Sequence, residues 1–371
     1  MSSDRHIAIA ETAAEKQAVY RFRYKVYVEE MGRYRSTADH QQRVLVEPCD
    51  AHSRIFYATE DSEVVATTRL TWGGDAPLPT RMIAQYDLLP FLAELPATAL
   101  AVGERGMVVP RLRGSDLFLR LLGASLRFVN EQRIQLWFGD CEPHLLNLYL
   151  GLGFRTYSKK NVNSAEAGYL IPIVFVPEDL AYLRYLHSPL LAYLRDFGAE
   201  ARIPACIVRI TAAGSAVMSR RLVASAAYWG EVHGALSEIE GTRLSALDGF
   251  TEADAARCLE KSTIIECRAG DHLLKKGGVA RNLFVVLDGT LEVRDGETPV
   301  AVLRPGDVFG ETAFLLERPR SKDVYAATDG VRVLSLSEAT VRELIKSDPT
   351  IAAHLLLNIS KMLCFRLLKA Q

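Results

Sequence analysis

Between residues 282 and 310 turn-forming residues come in quick succession: Asp288-Gly289, Asp295-Gly296 and Pro305-Gly306-Asp307. Asp-Gly pairs accept the positive φ angles of tight hairpins, so the stretches between them must be short paired strands rather than helices. Leu283, Val285 and Leu287 alternate as half-buried strand positions do. The region from about 240 onward is therefore held to a small β-roll or barrel. After Ser337 the pattern becomes helical, with Ile351, Leu355, Ile359 and Met362 spaced four, four and three apart.

The rest of the chain has a different texture. Up to about residue 178, strand-like and helix-like stretches alternate, as in a mixed α+β domain. RIFYATE and VVATTRL, within Ser53–Leu70, are separated by the turn residues Asp61-Ser62-Glu63. A strand over Glu104–Pro110, a helix over Ser115–Asn130, a strand over Ile134–Gly139, a short helix over Pro143–Leu150 and a buried strand over Gly168–Val176 follow. From 179 to about 240 the sequence turns helical, and its Ala- and Ser-rich stretch Ala212–Ala235 reads as a connector or an interface helix. The expected organisation is α+β: a mixed-sheet domain at 1–178, a helical connector at 179–238, and a β-roll with flanking helices at 239–371.

Composition narrows the function classes. Apolar residues are 49% and charged residues 24%, which excludes a disordered chain. Lys+Arg number 44 against 45 Asp+Glu, so no whole-molecule basic field favours nucleic acid. Six cysteines form no CxxC pair and eight histidines no HExxH, so free thiols and no metal are expected. The N-terminus has no apolar signal core and no apolar run reaches the roughly 18 residues of a membrane helix. The expectation is a cytoplasmic protein without a membrane span.

The sharpest motif is FGETAFLLERPRSKDVYA, residues 309–326. A strand ends at Val308-Phe309, Gly310 turns the backbone, and a short helix over Thr312–Leu316 begins with amides that can hold an anion. Arg320, returning on the next strand, offers a guanidinium fork matched to two phosphate oxygens. Glu311 fits beside a phosphate only if it accepts a hydroxyl proton, so a sugar phosphate is indicated.

This spacing resembles the phosphate-binding cassette of cyclic-nucleotide-binding domains, on Phe309, Gly310, Glu311, Pro319, Arg320, Val324 and Ala326. The upstream AGDHLLKKGG and LFVVLDGTLEV resemble the opening hairpins of that family. The resemblance implies that Glu311 binds the ribose 2′-OH and Arg320 the cyclic phosphate, with Gly310, Thr312 and Ala313 lining the anion site. Ser321 resembles the phosphate-contacting serine of catabolite-activator-type regulators, which favours cAMP and leaves cGMP open. Lys322 departs from that pattern. In the final helix Asn358 and Ser360 are the polar candidates to read the base. The chain ends at Gln371 directly after that helix, so a transcription factor of this type is not expected.

In VVPRLRGSDLFLRLLGASLRF, residues 108–128, a strand runs into Arg111, Arg113 and Gly114, and a helix starts near Ser115. Two arginines at an uncovered helix start make a pyrophosphate cradle. With Tyr149, Gly153 and Phe154 downstream, the pattern resembles the GNAT superfamily of acyltransferases, although Asp116 stands where that loop has Gly or Ala. Arg23, Val26, Tyr27, Asp50, Arg69 and Leu70 further resemble acyl-homoserine-lactone and N-acyl amino acid synthases. The resemblance implies acyl-CoA at Val108, Val109, Arg111, Arg113, Gly114 and Ser115 and Tyr149 as proton donor to the departing thiolate. The synthases' E-x-x-R strand element is not reproduced, because Glu104 and Arg105 are adjacent here; Glu104 is the candidate base, acting directly or through water on an amine.

The combined expectation is an N-acyltransferase regulated by cyclic nucleotide, taking its acyl group from CoA or an acyl carrier protein and passing it to a small-molecule amine. A protein-lysine acetyltransferase and a non-catalytic nucleotide sensor are the alternatives. Apolar residues all round the final helix imply burial, as a lid or as a homodimer interface.

Overall fold

The computed structural model describes residues 5–237 and 246–369, which fall into two compact units. The first holds the described residues up to Asp140, with Leu148–Ser158 and Pro172–Ala213; the second holds Cys141–Asn147, Lys159–Ile171 and the described residues from Gly214 onward. The expected boundary at 238/239 lies outside the described residues. The stretch read as a connector is divided, with residues up to Ala213 in the first unit and those from Gly214 in the second.

An eight-stranded sheet comprises β1 (His6–Ile9), β2 (Arg54–Glu60), β3 (Glu63–Trp72), β4 (Leu100–Val108), β5 (Leu136–Cys141), β6 (Arg155–Thr156), β7 (Val162–Ser164) and β8 (Gly168–Phe175). Its order is β1-β2-β3-β4-β5-β8-β6, with β7 paired to β8. Asp61 and Ser62, both at positive φ, close the β2–β3 hairpin in a turn whose twist matches its strands. β4 and β5 run parallel, which demands a crossover, supplied by a helix over Leu117–Glu131.

Two features of this sheet position the site. The parallel β4–β5 register runs from Leu100↔Leu136 only to Gly103↔Gly139, so the strands part at Glu104 and Asp140. Against β3, β4 carries one extra residue between Glu104 and Met107, a β-bulge with Arg105 at φ 60°. Bulges bend a strand and re-aim its side chains, and they cluster beside active sites.

The helices are α1 (Ala13–Arg23), α2 (Thr80–Gln85), α3 (Leu89–Leu92), α4 (Leu117–Glu131), α5 (Leu146–Leu152), α6 (Leu180–Tyr185) and α7 (Ala205–Ala212). A Thr12–Glu15 capping box starts α1, which runs into a π-helical turn over Tyr24–Glu30. Met82, Tyr86, Leu88 and Phe91 pack on Val102, Leu136 and Phe138 of the sheet. Asp179 caps α6, as its place before the helical stretch suggests.

The second unit contains β9 (Val217–Met218), α8 (Ser225–Ser237), α9 (Glu252–Cys258), β10 (Thr263–Cys267), β11 (His272–Leu274), β12 (Asn282–Asp288), β13 (Leu291–Asp295), β14 (Thr298–Leu303), β15 (Val308–Phe309), α10 (Glu311–Leu316), β16 (Asp323–Ala326), β17 (Val331–Ser337), α11 (Glu338–Ser347) and α12 (Pro349–Lys369). Two antiparallel sheets form, β15-β12-β17-β10-β9 and β11-β16-β13-β14, so the region is a roll of two open sheets and not a closed barrel. β12 is buried on both faces, since Phe284 and Val286 are covered as well as the alternating Leu283, Val285 and Leu287. Ile351, Leu355, Ile359 and Met362 of α12 join that core. The stretch 212–235 is not one helix: it is broken by β9, which adds to the edge of β10.

Candidate functional site

In the second unit a cavity of about 540 Å³ opens beside β15 and α10. Gly310, Glu311, Thr312, Ala313, Arg320 and Ser321 all line it, with Asp307, Lys322 and Arg366. Gly310 sits at φ 80°, and a Cβ there would fall 2.6 Å from Arg320 Nη1 and 2.7 Å from the Asn282 carbonyl oxygen, so the turn admits only glycine.

Arg320 is 5% exposed and lies in the loop before β16, not on the strand itself. Its Nη1 donates to the Gly310 oxygen at 2.6 Å and its Nη2 to the Asn282 oxygen at 2.9 Å, while Nε has no partner among the described residues. Burial lowers its pKa to about 10, and the Glu311 charge opposes that shift. A guanidinium this buried, with no carboxylate bonded to it among the described residues, is poised for an anion. Glu311 is held instead by Arg366 of α12, Nη1 to Oε1 at 3.4 Å. Asn358 does not face the cavity: its amide donates to the carbonyls of Ala246 and Asp248, and Ser360 bonds back to the Leu356 carbonyl.

In the first unit the parting of β4 and β5 is lined with charge. Arg69 is fully buried; its Nη1 donates to Glu47 Oε2 at 2.8 Å and Asp50 Oδ1 at 3.0 Å, and its Nη2 to Glu104 Oε2 at 2.5 Å. Arg23 Nη1 reaches the same Asp50 oxygen at 2.7 Å. Arg105, carried by the bulge, holds Glu47 through two hydrogen bonds and stacks beside Tyr27 and Tyr34. Arg81 Nη2 lies 3.3 Å from Glu104 Oε1.

These contacts set the ionisation of the carboxyls. Burial would raise Glu47, but its hydrogen bond to Arg105 and the charges of Arg105, Arg69 and Arg23 hold it at about 2. Burial likewise opposes ionisation of Glu104, and Arg69, Arg105 and Arg81 outweigh it, keeping that carboxyl below its ordinary value. Tyr86, on the far side of Glu104, places its hydroxyl 3.3 Å from Glu104 Oε1 and 2.9 Å from Asp140 Oδ2.

The residues read as an acyl-CoA site follow β4. Val108 is buried and its carbonyl accepts from Arg113 Nε at 3.1 Å; the Val109 N–H donates to the Val65 oxygen at 2.8 Å. Arg111 pairs with Glu60, and Arg113 with Glu30 at 2.6 Å. Gly114 turns at φ 83° with open space around it, and Ser115 bonds the Leu112 oxygen and the Leu117 N–H at the start of α4. Tyr149 on α5 is half-buried, edge-on to Phe118 at 6.2 Å and Phe154 at 5.2 Å between ring centroids. Phe118 in turn lies against Gly106 of the bulge.

The structure thus joins Arg23, Asp50, Arg69 and Glu104 in one cluster and adds Glu47, Arg81, Tyr86, Arg105 and Asp140 to it. The added residues come from four segments: Glu47 before β2, Arg81 and Tyr86 at α2, Arg105 on β4 and Asp140 on β5. The one trace in the sequence is an acid, Asp140, ending the buried run LWFG. Among the described residues no cluster of metal ligands occurs, and no helix is long and apolar enough to cross a membrane.

Comparison with known proteins agrees with both units. The model of the acetyltransferase (GNAT) domain matches residues 22–123, and that of the cyclic nucleotide-binding domain residues 264–348. The L-ornithine N(alpha)-acyltransferase of Rhodobacter capsulatus is 33% identical over 147 residues, covering 37% of this chain and 56% of that enzyme. The Pycsar effector protein BcPycTIR of Burkholderia cepacia is 28% identical over 129 residues, 34% of this chain and 42% of the effector. The type II regulatory subunit of cAMP-dependent protein kinase from Drosophila melanogaster is 31% identical over 104 residues, 27% of this chain and 26% of the subunit. The chain therefore spans between about a quarter and just over half the length of these relatives. It carries a GNAT acetyltransferase domain followed by a cyclic nucleotide-binding domain.

Proposed function

We infer that the protein is an N-acyltransferase whose rate is set by a cyclic nucleotide. It would move an acyl group from a CoA or acyl-carrier-protein thioester to an amine, with an amino acid as the acceptor class favoured by the ornithine acyltransferase relative. The observation that carries this reading is the charged cluster around Glu104, placed where the two parallel strands of the GNAT domain part. There a thioester can lie between strand ends while an amine approaches the carboxyl groups. The nitrogen lone pair attacks the thioester carbonyl, and backbone N–H groups of β4 stabilise the oxyanion. Collapse then expels the thiolate.

Arg111 and Arg113 would hold the donor's pyrophosphate. Their present partners, Glu60 and Glu30, do not forbid this, because both guanidinium groups are about half exposed and such pairs contribute only ~0–1 kcal/mol. Neutralising both arginines is expected to raise the KM for acyl-CoA more than that for the amine; equal effects on both would remove the cradle. Tyr149 would give the thiolate its proton, since a phenol of pKa ~10 protonates a thiolate without first being ionised. Tyr149→Phe should lower kcat with the fold intact, and a fully active variant would leave Tyr149 as packing for Phe118 and Phe154.

In the second unit, the buried Arg320 and the Glu311 carboxylate around one cavity support a cyclic nucleotide, cAMP in the first instance, as the regulatory ligand. The reading is tested by turnover of acyl-CoAs of several chain lengths against free amino acids, other amines and lysine peptides. Thiol release matched by amide formation on a free amine is expected. Activity confined to lysine peptides would change the acceptor class, and no turnover with any acceptor would leave a nucleotide sensor.

A further inference from the structure

Three of the four carboxyl groups at the strand parting have guanidinium partners: Glu47 with Arg69 and Arg105, Asp50 with Arg23 and Arg69, Glu104 with Arg69 and Arg81. Asp140 has none among the described residues. Its Oδ2 accepts from two neutral donors, the Tyr86 hydroxyl at 2.9 Å and Gln85 Nε2 at 2.9 Å, and among the described residues no group bonds Oδ1. Asp140 and Glu104 each follow directly on the last paired residues, Gly139 and Gly103, so the parallel register puts both on one face of the sheet. The single Tyr86 proton lies between them. It is committed to Asp140, because the Glu104 oxygen it also faces, at 3.3 Å, is already neutralised by arginine.

A carboxylate without a cation, beside a second carboxylate, is the member of the group able to change its protonation state at neutral pH. Its residue is half-buried and stands where the two parallel strands part. Glu104, spent on two arginines and kept ionised, is the weaker proton acceptor. We propose that Asp140, not Glu104, is the general base of the acyl transfer, accepting at Oδ1 the proton that the acceptor nitrogen loses as the C–N bond forms. This rests on the acyltransferase reading above.

The balance is complete. The nitrogen lone pair forms the C–N bond and its proton passes to Asp140. The carbonyl π pair moves to oxygen and returns as the C–S bond breaks, and the thiolate takes one proton from Tyr149. Solvent then reprotonates Tyr149 and removes the proton from Asp140. Glu104 and Tyr86 are positioning residues, the one charging and the other orienting the Asp140 carboxyl.

The physical state of Asp140 fits this task. Burial, reinforced by the Glu104 charge, lifts it to about 6, against the hydrogen bonds from Tyr86 and Gln85 and the charge of Arg105. Tyr157, on the segment after β6, faces the same carboxyl, and its own ionisation is suppressed by burial and by Asp140.

The test is the pH profile of kcat/KM for the acceptor amine at saturating acyl-CoA. The wild type should lose activity below about pH 6. Asp140→Asn should cost roughly 10²- to 10⁴-fold and abolish that limb. Tyr86→Phe, which removes a hydrogen bond favouring the carboxylate, should move the limb to higher pH. An Asp140→Asn enzyme with the wild-type profile, or one altered only in KM, overturns the proposal and leaves the acyltransferase reading standing. If Asp140→Asn does not fold, Tyr86→Phe decides alone: an unmoved limb overturns the proposal. Absence of wild-type turnover with every amine overturns both.

Discussion

Arg320→Ala is expected to lower affinity for cAMP, the proposed ligand, by about 2–5 kcal/mol, roughly thirty- to several-thousand-fold, the loss found when one partner of a buried charge pair is truncated. The expectation follows from the state of the side chain. Arg320 is 5% exposed and its guanidinium bonds two carbonyl oxygens; among the described residues Nε is unpartnered and no carboxylate is bonded to it, although the charges of Glu311 and Glu142 act on it. A cyclic phosphate would supply the missing charge. Lys322 and Arg366 also line the cavity, but Lys322 is held by Asp295 and Arg366 by Glu311. Calorimetry measures the loss directly. A thermal scan adds an independent readout, because ligand at ~100 Kd stabilises the folded wild type by about 2.7 kcal/mol and should stabilise the variant by less than about 1 kcal/mol. Unchanged cAMP affinity in Arg320→Ala contradicts the assignment of this cavity.

Arg69→Met destabilises the protein by about 3–5 kcal/mol at pH 7, a large share of a typical folding free energy. One fully buried guanidinium serves Glu47, Asp50 and Glu104 together, so its removal leaves three carboxylates short of compensation while methionine merely fills the space. The pH dependence has a definite sign. Glu47 is depressed to about 2 in the folded protein, so its stabilisation is present above its ordinary carboxyl range and is lost as pH falls toward 2. The wild type should therefore lose stability through that window, and the gap between wild type and variant should shrink there. Urea unfolding at pH 7 and pH 3 measures both. A difference under about 1 kcal/mol at pH 7 would mean that the cluster is solvated and easily rearranged.

The two sites were unequally legible in the sequence, for a physical reason. Everything that makes the nucleotide cavity distinctive lies within a few turns of chain: Gly310 permits the turn, Glu311 opens α10, and Arg320 returns ten residues later to bond the Gly310 carbonyl. Arg366 on α12, distant in sequence, carried no spacing signal. The cluster at the strand parting is built from six separate segments. Arg23, Asp50 and Arg69 were marked by resemblance and Glu104 as a candidate base, but Glu47, Tyr86 and Asp140 acquire meaning only from partners distant in sequence. The bulge is similarly hidden, since Arg105 holds φ 60° without a glycine to announce it. The break of the Ala- and Ser-rich stretch by β9 comes from pairing with β10, a tertiary effect that local helix propensity does not anticipate.

The central claim is that a nucleotide bound at Arg320 governs chemistry at Glu104 and Asp140. Acyl-CoA turnover with an amino acid acceptor, measured with and without saturating cAMP, tests it most directly, with cGMP in parallel. A coupling of ~1–3 kcal/mol between the two binding equilibria is expected, so acyl-CoA and cAMP must change each other's affinity by one and the same factor of roughly 5 to 150. The rate should change with cAMP in the wild type and not in Arg320→Ala. A rate unaltered by either nucleotide, together with a cAMP affinity unaltered by acyl-CoA, would contradict the account.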